Sequence, residues 1–205
     1  MIRVFEAFAG IGGFRSGLER VGGFKIVGWC EIDKYAKRAY EAMYDTEREV
    51  YYEDARKIEP NELPDIDLIC AGFPCQSFSI AGKRGGFEDA RGTLFFEIAR
   101  IAAVKKPKYL LLENVPGLLS HDKGRTFAVI LSTLDELGYD VAWQVLNSAD
   151  FNVAQSRKRV YIIGFLREKC AGKVLSFTDA NPKTLVQRIP GREGCRVYLS
   201  LIHIS

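Results

Sequence analysis

The chain has 205 residues, 47% hydrophobic and 27% charged, with a net charge of +3. That balance is too apolar for a disordered chain, and the small positive excess does not announce a nucleic-acid partner by itself. No apolar run reaches the ~18 residues of a membrane span, the amino terminus lacks a signal-peptide layout, and five cysteines without a Cys-x-x-Cys pair suggest neither a disulfide framework nor a zinc site. The expectation is a metal-free cytoplasmic protein with no membrane partner.

Residues 2–8 read as a buried strand, followed by a glycine-rich turn and a helix over 14–20. Residues 24–30 form a second strand ending in Glu31, residues 34–44 have helical spacing, and a short strand at 50–52 leads to Asp54. The near-continuous apolar run 66–71 is what a parallel strand covered on both faces requires. A polar, glycine-rich loop follows over 76–92. Residues 93–104 then carry Leu94, Ile98, Ile101 and Ala102 at helical spacing and stop before Pro107. Residues 109–112 are another buried strand, ending in Glu113. Residues 126–137 are a helix with Gly138 placed to cap it, and 141–146 and 160–165 close the pattern as strands. The alternation predicts an α/β domain of Rossmann-like architecture, with a mostly parallel sheet and helices on both faces. From residue 169 to 205 the periodicity fades, and this tail does not fit into the predicted sheet. The predicted domains are 1–168, catalytic and cofactor-binding, and 169–205, either the start of a further region or sequence foreign to the fold.

Gly10 to Gly13, Glu31, Asp54, Cys75 and Glu113 all fall just after predicted strands, where open α/β sheets bind ligands. Phe8-Ala9-Gly10-Ile11-Gly12-Gly13 allows a close backbone approach to a ligand, but is equally a plain strand-to-helix turn. Glu31 lies about 20 residues on, where a carboxylate can bond ribose hydroxyls; taken singly, it is also a solvated strand end. Asp54 suits either an adenine amino group or a helix N-cap. Together these residues favour an adenosine-containing ligand, with NAD and S-adenosylmethionine both open.

Cys75 follows Pro74 after a buried strand and has small and polar neighbours, Gln76, Ser77, Ser79 and Gly82. Cys30 and Cys70 read instead as buried, inert thiols. A reactive thiolate needs cationic neighbours, for which Arg157 and Arg159 are candidates; they alternate along an extended segment and share a face, although an exposed basic strand edge fits the same spacing. Glu113, emerging from an apolar run, is either a proton donor with a raised pKa or a carboxylate that reaches water.

Gly72-Phe73-Pro74-Cys75-Gln76-Ser77-Phe78-Ser79, then Glu113-Asn114-Val115, then Gln155-x-Arg157-x-Arg159, in this order after the glycine turn, resemble the ordered motifs of the DNA (cytosine-5) methyltransferase family. The similarity runs from residue 2 to about residue 167, and residues 83–100 resemble bacterial restriction–modification members. The resemblance implies methyl transfer from S-adenosylmethionine to C5 of a cytosine flipped out of double-stranded DNA. Cys75 would add to C6, Glu113 would bond or protonate N3, Arg159 would contact the base and Arg157 would hold the arrangement. Glu31 would hold the ribose and Asp54 the adenine amino group, with Phe8, Gly10, Gly12, Gly13, Pro74 and Leu94 lining the cofactor pocket. Ile32 stands where relatives often have an aromatic residue, so adenine stacking there is expected to be weaker. Gln76, Ser79, Lys83, Arg84, Asn114 and Gln155 are the expected DNA contacts, with Gly82, Gly85 and Gly86 as hinges of a closing loop; a surface loop without that role is the alternative.

In this family a target-recognition domain and a returning segment follow the Gln-x-Arg-x-Arg motif, and neither is found within these 205 residues. The chain is therefore expected to be a carboxy-terminally truncated piece with weak cofactor binding and little site-specific methylation. A monomer serving a restriction–modification system with a cognate endonuclease is the expected context. The competing readings are an RNA cytosine-5 methyltransferase, a non-catalytic DNA- or cofactor-binding relative, and an NAD-dependent oxidoreductase resting on the glycine turn alone.

Overall fold

The computed structural model describes residues 1–74 and 94–169, together with the backbone of 187–189. The chain divides into two compact units, one of residues 1–73 with 93–112 and one of residues 74–92 with 113–205.

The first unit holds β1 (Ile2–Ala7), α1 (Gly13–Val21), β2 (Phe24–Cys30), α2 (Lys34–Met43), β3 (Val50–Tyr52), β4 (Leu68–Gly72), α3 (Leu94–Lys105) and the first four residues of β5 (Tyr109–Asn114). Its strands lie in the order β3-β2-β1-β4-β5. The pairs β1–β2, β1–β4 and β2–β3 are parallel. Alternation in β1 divides its side chains between two faces. Val4 packs with Ile26, Leu68 and Cys70 under Phe14 and Leu18 of α1, while Phe5 meets Tyr52 edge-on at 6.1 Å. The predicted strand over 66–71 begins later, at Leu68. Just before it, the Asp67 N–H donates to the Arg3 carbonyl at 2.8 Å and its carbonyl accepts the Tyr109 N–H at 3.0 Å, while its carboxylate accepts from the Arg3 backbone N–H at 3.1 Å and from Arg3 Nε at 2.9 Å.

Local chemistry sets the helix ends. Asp33 caps α2 by accepting the N–H groups of Tyr35 and Ala36 at 2.9 and 2.8 Å, an arrangement that stabilises a helix by ~1 kcal/mol. Val21 is the last residue of α1; Gly22 follows with φ +77° and donates its N–H to the Leu18 carbonyl. Helix α3 buries Phe95, Ile98, Ile101 and Ala102, and Arg100 ties it to the carbonyls of Ile58 and Ala55.

The second unit holds the end of β5, then α4 (Arg125–Glu136), β6 (Tyr139–Asn147), β7 (Lys158–Leu166) and β8 (Gln187–Ile189). Helix α4 buries Phe127, Ile130, Leu131 and Leu134, and Phe127 meets Trp143 of β6 at 5.2 Å. Gly138, at φ +90°, ends the helix as expected. β6 and β7 form an antiparallel pair from Tyr139↔Leu166 to Asn147↔Lys158, longer at both ends than the apolar cores 141–146 and 160–165. Polar residues such as Asp140 and Lys158 extend an antiparallel ladder that has one face toward water, where apolar content marks only the middle. The tail supplies a correction: residues 187–189 pair antiparallel with β6, from Val141↔Ile189 to Trp143↔Gln187. Backbone pairing, which has no sequence period of its own in three residues, decides this strand. Among the described residues no helix is long and apolar enough to cross a membrane.

Candidate active site

In the first unit, the order β3-β2-β1 brings the carboxyl ends carrying Asp54, Glu31 and the glycine turn side by side. Strand order changes direction between β1 and β4, the position where open parallel sheets form a ligand crevice. The Glu31 carboxylate accepts the Gly10 N–H at 2.8 Å through one oxygen and the Asp33 N–H at 2.8 Å through the other. The residue is only 9% exposed. Its backbone carbonyl accepts from the Tyr51 hydroxyl at 2.9 Å. Two lone-pair directions of the carboxylate remain for hydroxyl donors.

The turn itself is wound left-handed. Phe8, Gly10 and Gly12 have φ of +55°, +56° and +83°. A phenylalanine in that region costs of order 1 kcal/mol, and such strain persists where neighbouring bonds enforce it. Here the Ala9 N–H donates to the Cys30 carbonyl at 3.0 Å and the Gly12 N–H to the Ala9 carbonyl at 2.8 Å. A side chain built on Gly10 or Gly13 would meet nothing within 4 Å, so both face open space. Ile32, next to Glu31 in sequence, is 61% exposed.

Asp54 takes up the alternative reading: it caps the short turn Ala55–Lys57, accepting the Arg56 N–H at 3.0 Å, and pairs with the Arg56 guanidinium at 2.7 Å. That Arg56 bond holds its carboxyl below the usual range. Burial pushes the Cys30 thiol up to about 12, with the charges of Glu31 and Asp54 adding to it. Cys30 and Cys70 are both buried and free, and burial also pushes Cys70 up. Leu94 opens α3, half-buried.

In the second unit, Glu113, next to last in β5, forms an ion pair with Arg159, the second residue of β7, at 2.7 Å. Their side chains are 21% and 19% exposed. Arg157 precedes β7 and is fixed through its backbone, which donates to Ser148 Oγ at 3.0 Å and accepts the Ser148 N–H at 3.1 Å; its side chain is exposed. The Ser148 hydroxyl also donates to the carbonyl of Gln155, itself exposed. Asn114 is buried and accepts the Val115 N–H at 2.8 Å, which shapes the exit from β5. Pro74 is exposed. Cys75, Gln76, Ser79, Lys83 and Arg84 lie outside the described residues.

Tyr161 was not anticipated. It follows Arg157 and Arg159 at alternate positions, and burial pushes its hydroxyl up, reinforced by Glu113 and opposed by both arginines. The spacing 157, 159, 161 was readable in the sequence; the half-burial was not. Its ladder partner Gln144 is buried, and no described residue bonds the Gln144 Oε1. Among the described residues no cluster of acidic, histidine or cysteine side chains could hold a metal ion.

An acidic, glycine-lined corner at the carboxyl ends of a parallel sheet is the position at which open α/β sheets bind ligands. The chain belongs to the C-5 cytosine-specific DNA methylase family, whose model matches residues 2–193. It is 51% identical over 165 residues to the Type II methyltransferase M.NgoBI of Neisseria gonorrhoeae, covering 80% of this chain and 51% of that protein. It is 51% identical over 164 residues to the Type II methyltransferase M.HaeII of Haemophilus aegyptius, covering 80% and 50%. The orphan methyltransferase M.SPRI of Bacillus phage SPR matches at 43% over 188 residues, covering 91% and 43%. The chain thus spans about half the length of the curated relatives it matches. Among solved structures, DNMT2 of Spodoptera frugiperda superposes with a TM-score of 0.64 at 23% identity, over 80% of this chain and 50% of that one. The Entamoeba histolytica methyltransferase EhMeth superposes with 0.64 at 23%, over 81% and 53%. At that identity these two support the fold, a mixed, mostly parallel sheet of the methyltransferase type.

Proposed function

We propose that the chain carries the catalytic half of a DNA cytosine-5 methyltransferase, transferring a methyl group from S-adenosylmethionine to C5 of a flipped cytosine. The observation that carries this reading is the Glu113–Arg159 ion pair at 2.7 Å, joining two of the ordered motifs in one cluster. When bound, S-adenosylmethionine supplies an electrophilic methyl group. Glu31, with its remaining acceptor directions, and the open backbone around Gly10 fit the ribose and the body of such a ligand. Asp54 keeps the adenine amino group as its expected partner, although Arg56 shares its carboxylate.

In the proposed sequence the Cys75 thiolate bonds to C6 of cytosine, which pushes electron density to C5 and N3. Glu113 bonds or protonates N3 and stabilises that charge, while Arg159 holds the Glu113 carboxylate in place. C5 would then take the methyl carbon as the bond from that carbon to the sulfonium sulfur breaks, leaving a neutral thioether. The C5 proton would leave to a base, and the C6–sulfur bond would break to return the thiolate as N3 gives back any proton to Glu113. Gln76, Ser79, Lys83, Arg84, Asn114 and Gln155 would contact the DNA, Arg159 would also contact the base, and Arg157 would help to hold the active-site arrangement. The names of M.NgoBI and M.HaeII as Type II methyltransferases support a restriction–modification setting with a cognate endonuclease. A cytoplasmic monomer suits that setting, and sedimentation measures the monomer directly.

The test is covalent trapping. Duplex DNA carrying 5-fluorocytosine, incubated with the chain and S-adenosylmethionine, should yield a stable protein–DNA adduct that Cys75→Ser abolishes. Adduct formation on a 5-fluorocytosine tRNA but not on the duplex would instead assign the site to RNA, and trapping that survives Cys75→Ser would refute the mechanism.

A further inference from the structure

The glycine turn is held from behind by groups that belong to none of the motifs. Gly12 is the N-cap of α1 and has no side chain with which to bond the first N–H groups of that helix. Glu6, fully buried on β1, supplies a substitute: its Oε1 accepts the backbone N–H of Arg15 at 3.4 Å, and its Oε2 accepts the Tyr40 hydroxyl at 2.9 Å. The Tyr40 hydroxyl in turn accepts from Arg15 Nη1 at 3.3 Å. Arg15 cannot swing, because it also donates to Glu49 at 2.9 Å, Glu19 at 2.8 Å and the Asp45 carbonyl at 3.1 Å.

Tyr44 connects this buried set to the turn. The Arg15 guanidinium lies 4.4 Å from the centre of its ring. Its hydroxyl donates to the Gly12 carbonyl at 3.1 Å. Its ring edge occupies the place of a side chain on Gly12, since a Cβ there would fall 2.5 Å from Tyr44 Cε2. The turn is thus clamped at Gly12 by Tyr44, from the end of α2, and at Gly10 by the N–H that holds Glu31.

Such a set is a poor way to gain stability. Burying a carboxylate, a guanidinium and a phenol together is often no better than an apolar packing of the same volume. α1 already has an apolar contact through Phe14 and Leu18. What the bonds do provide is a single geometry for residues 10–13, and hence for the Glu31 carboxylate.

We propose that Tyr44, backed by Tyr40, Arg15 and Glu6, is a positioning residue for the adenosyl site: it fixes the glycine turn that orients Glu31, without itself touching the ligand. The inference rests on the cofactor reading above. It is tested with Tyr44→Phe in the full chain, which keeps the ring and removes the hydroxyl. Calorimetric titration with S-adenosylmethionine should show Kd raised about five- to tenfold, while Tm falls by no more than about 2–4 °C, the cost of one hydrogen bond in a chain of this size. Hydrogen exchange of the Gly10 amide, which reports its bond to Glu31, should quicken in the same variant. Unchanged affinity, or a changed affinity with Gly10 exchange unaltered, would overturn the proposal. Failure of the unsubstituted chain to bind S-adenosylmethionine would overturn the cofactor reading and this proposal with it, whereas normal binding by both proteins removes only the proposal.

Discussion

Glu31 in the first unit is gripped by two backbone N–H groups at 2.8 Å, whereas Glu113 in the second is gripped by one side chain, Arg159 at 2.7 Å. The donors on Glu31 move only if the turn or the start of α2 moves, and the residue is 9% exposed. Glu113 and Arg159 are each about one-fifth exposed, and an arginine can re-aim its fork without shifting the sheet. The difference suits the two tasks assigned to these residues. A carboxylate for a recurring ribose can be fixed once by backbone, while one that meets an incoming base gains from a partner able to rearrange.

Three substitutions press on that comparison. The largest effect is expected for Glu31→Ala, which removes the acceptor proposed for the ribose and leaves the Gly10 and Asp33 N–H groups unpaired. Lost charge-assisted hydrogen bonds of about 1.5–3 kcal/mol each predict at least a tenfold to hundredfold rise in the S-adenosylmethionine Kd. A change under threefold in calorimetric titration would remove Glu31 from the site. Arg159→Ala should act on the chemistry instead. Single-turnover methylation or adduct formation should slow by about ten- to a hundredfold, with cofactor Kd within about twofold of the unsubstituted chain. Equal losses in both quantities would show that the two clusters do not divide the work in this way.

The third effect is on stability alone and concerns Glu6. Burial pushes its carboxyl up to about 7, opposed by the bonds from Tyr40 and Arg15. A carboxyl with a raised folded pKa binds its proton more tightly in the folded state. Stability is therefore fully present below the unfolded value and is lost as pH rises from about 4.5 toward 7. Glu6→Gln, which never ionises, should lose this dependence, so its Tm relative to the unsubstituted chain should rise across that window and level off above it. Thermal melts at pH 5, 6, 7 and 8 measure the trend, and parallel melting curves would show that Glu6 is not the titrating group.

Particular residues show how far the sequence could be read. Gly138 declared its helix end through chemistry contained within a few residues, and the caps at Asp33 and Gly22, which the sequence reading passed over, are equally local. Glu31 and the glycine turn were legible because a strand, a turn and a carboxylate stand at a spacing that means the same thing in many parallel sheets. Glu6 was not legible. It sits in an apolar strand pattern, and its partners Arg15, Tyr40 and Glu49 come from 9, 34 and 43 residues away, the last through Arg15. The pairing of Glu113 with Arg159 was not legible either: β7 begins at Lys158 and leaves Arg157 in the preceding turn, a boundary that the spacing 157, 159 does not reveal.

The sequence by itself determined the alternation of strands and helices, the motifs in their order and the family to which they belong, since each depends on neighbours within one turn or one strand. Only the tertiary structure decided what holds what: the Gly10 and Asp33 N–H groups on Glu31, Arg159 on Glu113, Arg56 on Asp54, Tyr44 on Gly12 and the pairing of residues 187–189 with β6. Most of these contacts join residues far apart in the chain, and burial and hydrogen-bond geometry, which select among the available partners, exist only after the sheet has assembled.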